Sequence, residues 1–127
     1  MAAEHIVLAD GSYAPTADYS AAATYQYHFM KLVVAVLTIC GANDPIFGVL
    51  QDTPVANQAG SVAIEGITYL VVDGSGTAIA AMDYLESDAS GQGVKSTTNG
   101  HEIGAQALEA ATTAGAVIKA RLVRFRY

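Results

Sequence analysis

Few side chains in this sequence have the type and spacing that catalysis or metal binding requires. The three histidines stand at positions 5, 28 and 101. These positions are far from the separation of three or four residues that paired metal ligands show. We therefore expect surface or interface histidines. Cys40 ends an apolar run and has no basic neighbour that would activate its thiol, so it is predicted to be buried and inert.

A cluster of carboxylates offers the other possible chemistry. Asp83, Glu86 and Asp88 fall within six residues, but their spacing is not that of a calcium-binding loop, and a solvated edge is the simpler interpretation. The glycine-rich segment 73–76 lacks the lysine of a phosphate-binding loop, which predicts a hairpin turn. The sequence shows no nucleophile elbow. We predict a protein that is not an enzyme and binds no cofactor or metal.

The composition limits the classes of partner. The chain has 127 residues, of which 52% are hydrophobic and only 14% are charged, against about 25% in an average soluble domain. Its surface is therefore unusually neutral or largely covered by neighbours. A net charge of −6 disfavours nucleic acid and anionic membranes as partners. The most apolar run, 32–42, is shorter than the roughly 20 residues of a membrane helix, and we recognise no secretion signal.

Tyrosines near the start of the chain favour a protein partner. Tyrosine is enriched at interfaces because it covers a large area at low entropic cost and keeps a polar tip. An arm folded back on its own sheet is the alternative. The candidate interface tyrosines are Tyr13, Tyr19, Tyr25 and Tyr27.

The end of the chain carries a basic strand. Residues 1–118 contain two basic and twelve acidic groups, a balance of −10, whereas residues 119–127 contain four basic groups and no acidic one. Such a strand could dock an acidic neighbour, including a second copy of the chain; a solvated strand face is the alternative. The polar face switches near Val123, which suggests a bulge. The candidate interface residues are Lys119, Arg121, Arg124 and Arg126.

The elements that position these residues are predicted to be strands. Strand signals recur about every ten residues with turn signals between them, as in β-sandwiches and barrels. Aromatic residues alternate over 25–29, a break near Ala35 divides the apolar run, and Gly66 suggests a bulge or bend. We predict one all-β domain over 24–127, mainly an antiparallel barrel or sandwich, with an extended arm over 1–23 and at most one short helix.

Residues 99–115 favour a helix by local propensity. Asn99 could cap it with Glu102, apolar residues follow at helical spacing, and Gly115 would end it. This is the one segment that argues against an all-β chain.

Several segments, in order, resemble the small capsid decoration, or cement, proteins of tailed bacteriophages. They cover about residues 45–122: the strand and loop 48–54, the glycine-bounded strand 59–66, the hairpin 83–94 and the closing strands 103–122. Met82 departs from the pattern, since the family usually has glycine before the aspartate. The positions that match the family pattern are Gly48, Val49, Pro54, Gly60, Gly66, Asp83, Asp88 and Gly91.

The resemblance implies strands rather than a helix for 103–111. It also implies a structural role on the outer face of the mature capsid, after synthesis in the cytoplasm of the bacterial host. Such proteins often form trimers that clamp neighbouring major capsid subunits against internal DNA pressure. The partners implied are the major capsid protein and further copies of the chain, with no nucleic acid or membrane. Another virion component, such as a head fibre base or tail part, and a β-barrel carbohydrate-binding module are the alternatives.

Overall fold

The protein folds as an all-β structure, as the sequence predicts. The structure is a computed structural model that describes residues 6–9, 13–20 and 25–126. His5 and the parts of the predicted arm at 1–5, 10–12 and 21–23 lie outside the described residues. Within the described ranges there is no helix. The strands are β1 (Ile6–Leu8), β2 (Phe29–Val33), β3 (Val36–Ile39), β4 (Gly48–Leu50), β5 (Val62–Asp73), β6 (Tyr84–Ser87), β7 (Gly93–Lys95), β8 (Glu102–Ala107) and β9 (Ala114–Arg126).

Five strands close into a barrel. The second half of β5 pairs antiparallel with β9, β9 pairs with β8, and β8 pairs with β6. The β6–β7 hairpin then returns to β5 through a parallel contact between Val72 and Gly93. This ring is the mainly antiparallel barrel that the strand spacing predicts. Closure leaves these strands with few unpaired edges, which makes the barrel a rigid platform.

The first half of β5 belongs to a second, open sheet. On one edge β5 pairs with β4, which continues to β2 and β3, and on the other it pairs with β1. Gly66 stands at the transition, because its register partner is in β1 whereas Ile67 pairs with β9. Its φ of 103° lies in the region that only glycine enters easily. The predicted bend at Gly66 is therefore the point where one strand passes between two sheets.

Two apolar clusters form the core. The larger one fills the barrel and includes Phe29, Leu70 and Leu85, which have almost no exposed surface. The smaller one lies under the open sheet around Met30 and Leu50. Full burial of such a side chain contributes about 1.5–3 kcal/mol to folding, so these clusters hold the two sheets together.

The sequence prediction of a strand over 25–29 is wrong for its first residues. Residues 25–27 form a turn in which the His28 amide donates to the Tyr25 carbonyl, and Tyr27 has a φ of 63°. Strand β2 begins only at Phe29. The predicted break near Ala35 is confirmed, because Val34 and Ala35 both have positive φ between β2 and β3. Two such residues are what a tight hairpin with the twist of its strands needs.

The segment with helical propensity contains no helix, and the strand that the family resemblance implies for 103–111 is confirmed over 103–107, whereas residues 108–111 lie beyond the end of β8. Strand β8 pairs with β6 on one side and β9 on the other, so both of its edges are used by long-range partners. Gly104 lets this strand pack closely on the core, because a Cβ at this position would lie 2.4 Å from Ile46 and 3.0 Å from Phe29. Tertiary pairing therefore overrides the local preference.

Candidate protein-binding surface

The described part of the arm packs on its own subunit. Tyr19 is buried in the smaller core cluster, and its hydroxyl accepts a hydrogen bond from the Ile39 amide at 3.3 Å. Tyr13 is half-buried and packs edge-to-face on Phe47. Backbone hydrogen bonds fix this part of the arm to β3 and to the 51–60 loop. The described part of the arm therefore folds back on its own sheet, as the alternative interpretation of the sequence predicts. A contact of the arm with a partner stays a prediction.

The two later tyrosines also make contacts within the chain. Tyr25 packs edge-to-face on Tyr19, with ring centroids 4.9 Å apart. Tyr27 packs edge-to-face on Tyr69 at 5.6 Å and donates its amide to the Leu50 carbonyl. Because both rings are half-buried, only part of each side chain remains available to a partner.

The four basic residues of β9 do not share one surface. The predicted bulge near Val123 is confirmed, since β9 has an extra residue opposite the Ile103–Ala105 step of β8. Beyond the bulge, Arg124 donates to the Phe47 carbonyl at 2.6 Å, and Arg126 forms an ion pair with Glu102 at 2.6 Å. These two guanidinium groups therefore bind parts of their own subunit.

Lys119 and Arg121, by contrast, lie on the outside of the barrel. Directly opposite each of them on β5 is an apolar residue that also points outward. We call the six outward residues of these two strands the β5–β9 face. They are Ile67, Tyr69 and Val71 on β5, and Val117, Lys119 and Arg121 on β9.

The β5–β9 face is apolar where a solvated barrel strand would be polar. The inward residues Thr68, Leu70 and Val72 are fully buried. Their outward neighbours Ile67 and Val71 are also apolar, so this stretch of β5 does not alternate between apolar and polar residues. Such continuous runs are typical of strands covered on both faces. Within the described chain, the outward residues of β5 remain only half-buried.

A polar and aromatic row extends this face across β8 and β6. Arg121 is opposite Gln106, which in turn is opposite Tyr84. The Arg121 guanidinium donates to Gln106 Oε1, while Gln106 Nε2 donates to the Met82 carbonyl at 3.1 Å. Tyr84 packs edge-to-face on Phe125 at 4.9 Å. The Arg121 guanidinium is thus held against Gln106, in the same cross-strand row as Tyr84.

The positions that match the family pattern are mainly structural. A Cβ on Gly48 would lie 2.3 Å from the Ala63 carbonyl oxygen, so only glycine allows β4 to approach β5 this closely. Val49 is fully buried in the barrel core. Pro54 is buried and its carbonyl accepts the Tyr19 amide. Gly60 forms an isolated bridge with Tyr13.

The later family positions shape two turns. Asp83 accepts the Ala80 amide at 2.8 Å, and Asp88 accepts the Ser90 and Gln92 amides at 2.8 and 2.9 Å. A Cβ on Gly91 would lie 2.6 Å from Ile39. Met82, which stands where the family usually has glycine, has a φ of 78°. The turn therefore keeps the left-handed conformation that favours glycine.

The carboxylate cluster and the thiol each serve the fold. Glu86 is buried, with its Oε2 2.5 Å from His101 Nδ1, and thus does not join Asp83 and Asp88 at one site. Within the described residues, no group of three potential ligands converges on a metal position. Cys40 is buried, as predicted, and this burial raises the pKa of its thiol to about 12. The described ranges also lack any helix of the length and apolarity that a membrane crossing requires.

The fold and this surface together define an all-β barrel protein whose exposed features suit contact with other proteins. Comparison with family models finds a match to the phage cement protein family over residues 14–122. The fold is similar to that of the N-terminal base of the head fibre protein gp8.5 of bacteriophage phi29. That likeness has a TM-score of 0.64 at 13% identity and covers 95% of this chain and 98% of that one. No curated protein sequence matches the chain significantly.

Because the family match covers most of the chain, the protein belongs to the phage cement protein family. It is therefore a structural protein of a phage virion, from a family of structural proteins and not of enzymes. Membership also implies that it binds the phage capsid. This confirms the family resemblance of its segments.

Proposed function

We propose that the protein binds the outer surface of the mature capsid as a homotrimer and clamps neighbouring major capsid subunits. The clamp would stabilise the head against internal DNA pressure. The family match across residues 14–122 carries this proposal. The geometry supports it because the closed barrel leaves its strands with few unpaired edges, and the outer face of β5 and β9 carries apolar and basic groups that a partner could contact.

Multivalency is the proposed physical mechanism. One contact with a capsid subunit that buries about 800 Å² per partner can be modest in strength. Three linked copies raise the effective concentration of each further contact, so weak contacts together become durable. The arm and the basic strand β9 remain the proposed groups for contact with a partner, either the capsid or another copy of the chain.

Co-sedimentation with phage heads tests this function. Purified protein is mixed with expanded heads that lack it and, as a matched control, with unexpanded heads. We expect saturable binding to expanded heads at a fixed ratio to the major capsid protein. Absence of binding to expanded heads would contradict the proposal.

A second candidate function has its own support. The similar structure from phi29 is described as a head fibre base, so this chain could serve as the base on which a fibre stands. Electron microscopy of decorated heads separates the two roles. A fibre attached at each bound copy would favour the base, whereas a bare layer of density would favour the clamp.

A further inference from the structure

We propose that the β5–β9 face is the surface on which a second copy of this chain docks, rather than the surface that meets the capsid. The inference deepens the proposed function, since it assigns the contact by which the proposed oligomer forms. The first observation that supports it is that apolar residues occupy both faces of β5 between residues 67 and 72. Within the described subunit the inward set is fully buried, whereas the outward set is only half-buried, with Tyr69 packed on Tyr27.

The apolar character of the face favours a partner that is always present. Soluble proteins rarely leave a contiguous apolar patch exposed, and the contacts of permanent homo-oligomers are more apolar than those made by partners that meet later. A decoration protein exists in solution before it meets the mature capsid. A second copy is available from synthesis onward, so it can cover Ile67, Val71 and Val117 before any capsid is present.

The charge distribution also favours a second copy of the chain as the partner. Lys119 and Arg121 are the positive groups of the face, and among the described residues neither has an ion pair. Residues 1–118 of any second copy carry a balance of −10. Glu65, for example, is exposed and has no ion pair within the described residues. A second copy therefore supplies the complementary charge that the face needs.

The same charges determine whether the contact between copies is symmetric or head-to-tail. If two β5–β9 faces met each other across a two-fold axis, Lys119 and Arg121 would face the same cations of the other copy. Like charges in such a contact cost several kcal/mol. The face of one copy therefore meets a different, acidic surface of the next copy. Contacts of this head-to-tail kind close into rings when the rotation between copies permits it.

Analytical ultracentrifugation of matched valine variants tests this inference. Val117 is 55% exposed on the face, whereas Val55 is 44% exposed in the 51–60 loop. We expect Val117→Asp to weaken self-association by at least about tenfold, because it places a charge in the apolar part of the contact. Val55→Asp should associate like the unmodified chain. Urea unfolding of both variants checks that each one is folded.

A charge variant provides the second test. Lys119→Glu replaces a surface cation and leaves the apolar residues intact, so it should fold even if Val117→Asp does not. We expect it to weaken self-association, and we expect added salt to reduce the difference from the unmodified chain, because salt screens exposed charges. Unchanged association of a folded Lys119→Glu together with a folded Val117→Asp would overturn the inference, as would an unmodified chain that is monomeric.

Binding of the same variants to expanded heads separates this inference from the proposed function. If the variants stay oligomeric but lose head binding, the face meets the capsid and the inference is wrong. If they become monomers, the face joins copies of the chain, and this holds even if the unmodified oligomer fails to bind heads. In that last case the proposed function fails while the assignment of the face stands.

Discussion

Met82 illustrates how one residue can occupy a backbone position suited to glycine. Its φ of 78° places an L-residue in the left-handed region, and its side chain is 59% exposed, so little packing holds it there. This conformation costs an L-residue roughly 1–2 kcal/mol, whereas glycine adopts it freely but loses more entropy on folding.

We expect Met82→Gly to raise the free energy of unfolding by up to about 1 kcal/mol. Met82→Val is the matched control and should lower it, since a β-branched residue tolerates positive φ least. Urea unfolding of the two variants measures both changes. A clear loss of stability in Met82→Gly would show that the left-handed conformation at this turn carries no strain.

Asp44 makes stability depend on pH. Its carboxylate lies 2.5 Å from Lys31 Nζ and accepts the Gly41 amide at 2.7 Å. These hydrogen bonds, chiefly the one from Lys31, lower the pKa of Asp44 below its ordinary value of 3.8. A lowered folded-state pKa stabilises the protein above the unfolded-state pKa, and this contribution disappears as the pH falls through the folded value.

We expect Asp44→Asn to unfold more easily than the unmodified chain at about pH 6, by about 1 kcal/mol. The two proteins should converge as the pH falls through the lowered pKa of Asp44, because both side chains are then neutral. Lys31→Met removes the other partner and should show the same convergence. Urea midpoints across this pH range test the prediction, and a difference that stays constant with pH would contradict it.

At the scale of elements, β5 organises the molecule because it belongs to both sheets. Gly66 allows this transition with its φ of 103°. We expect Gly66→Ala to destabilise the fold by about 1–2 kcal/mol, because a Cβ disfavours this backbone conformation. Gly76→Ala is the matched control, since a Cβ there would meet nothing within 4 Å and its φ is not left-handed.

Thermal or urea unfolding compares the two glycine variants. Gly76→Ala should stay within about 0.5 kcal/mol of the unmodified chain. Equal effects of the two substitutions would mean that β5 passes between the sheets without any special backbone conformation at Gly66.

Element types were predictable where a local signal and the tertiary environment agree. The hairpin break at Ala35 and the bulge near Val123 each follow from residues that act locally. The segment 102–107 does not, because local propensity favours a helix there and long-range pairing with β6 and β9 decides otherwise. The predicted hairpin turn at 73–76 is wrong, because the chain bends there after β5 but the next strand, β6, does not pair with β5. Residues 25–27 were predicted as part of a strand because their aromatic side chains alternate with a polar one. In the structure these residues form a turn, and the two tyrosines pack on different core clusters.

The candidate surface was only partly predictable for a similar reason. Lys119 and Arg121 stand out in the sequence as part of a basic strand, and the structure keeps them on an outer face. The apolar half of that face was in the sequence as well, as the uninterrupted apolar run Leu70–Val72 beside Ile67. The sequence of this run does not indicate which of its side chains point into the barrel and which point outward. Only the pairing of β5 with β9 shows that Ile67 and Val71 point outward.

At the scale of the whole molecule, scarce charge and a closed barrel fit a protein largely surrounded by neighbours. Four ion pairs hold much of the charge of the described residues within the subunit, including those of Arg126 with Glu102 and Lys31 with Asp44. Among the described residues, the charges left for partners are mostly acidic, and the basic groups outside these ion pairs, Lys119, Arg121 and Arg124, all lie on β9. A trimer built through such surfaces would present several equivalent contacts to the capsid, which is the arrangement that multivalent clamping requires.

The temperature at which filled heads release their DNA tests whether the protein stabilises the head. Heads that lack the protein are compared with the same heads saturated with it, and DNA release is followed with a dye that cannot enter intact shells. We expect the saturated heads to release their DNA at a clearly higher temperature. Release at the same temperature, despite saturated binding, would contradict this expectation.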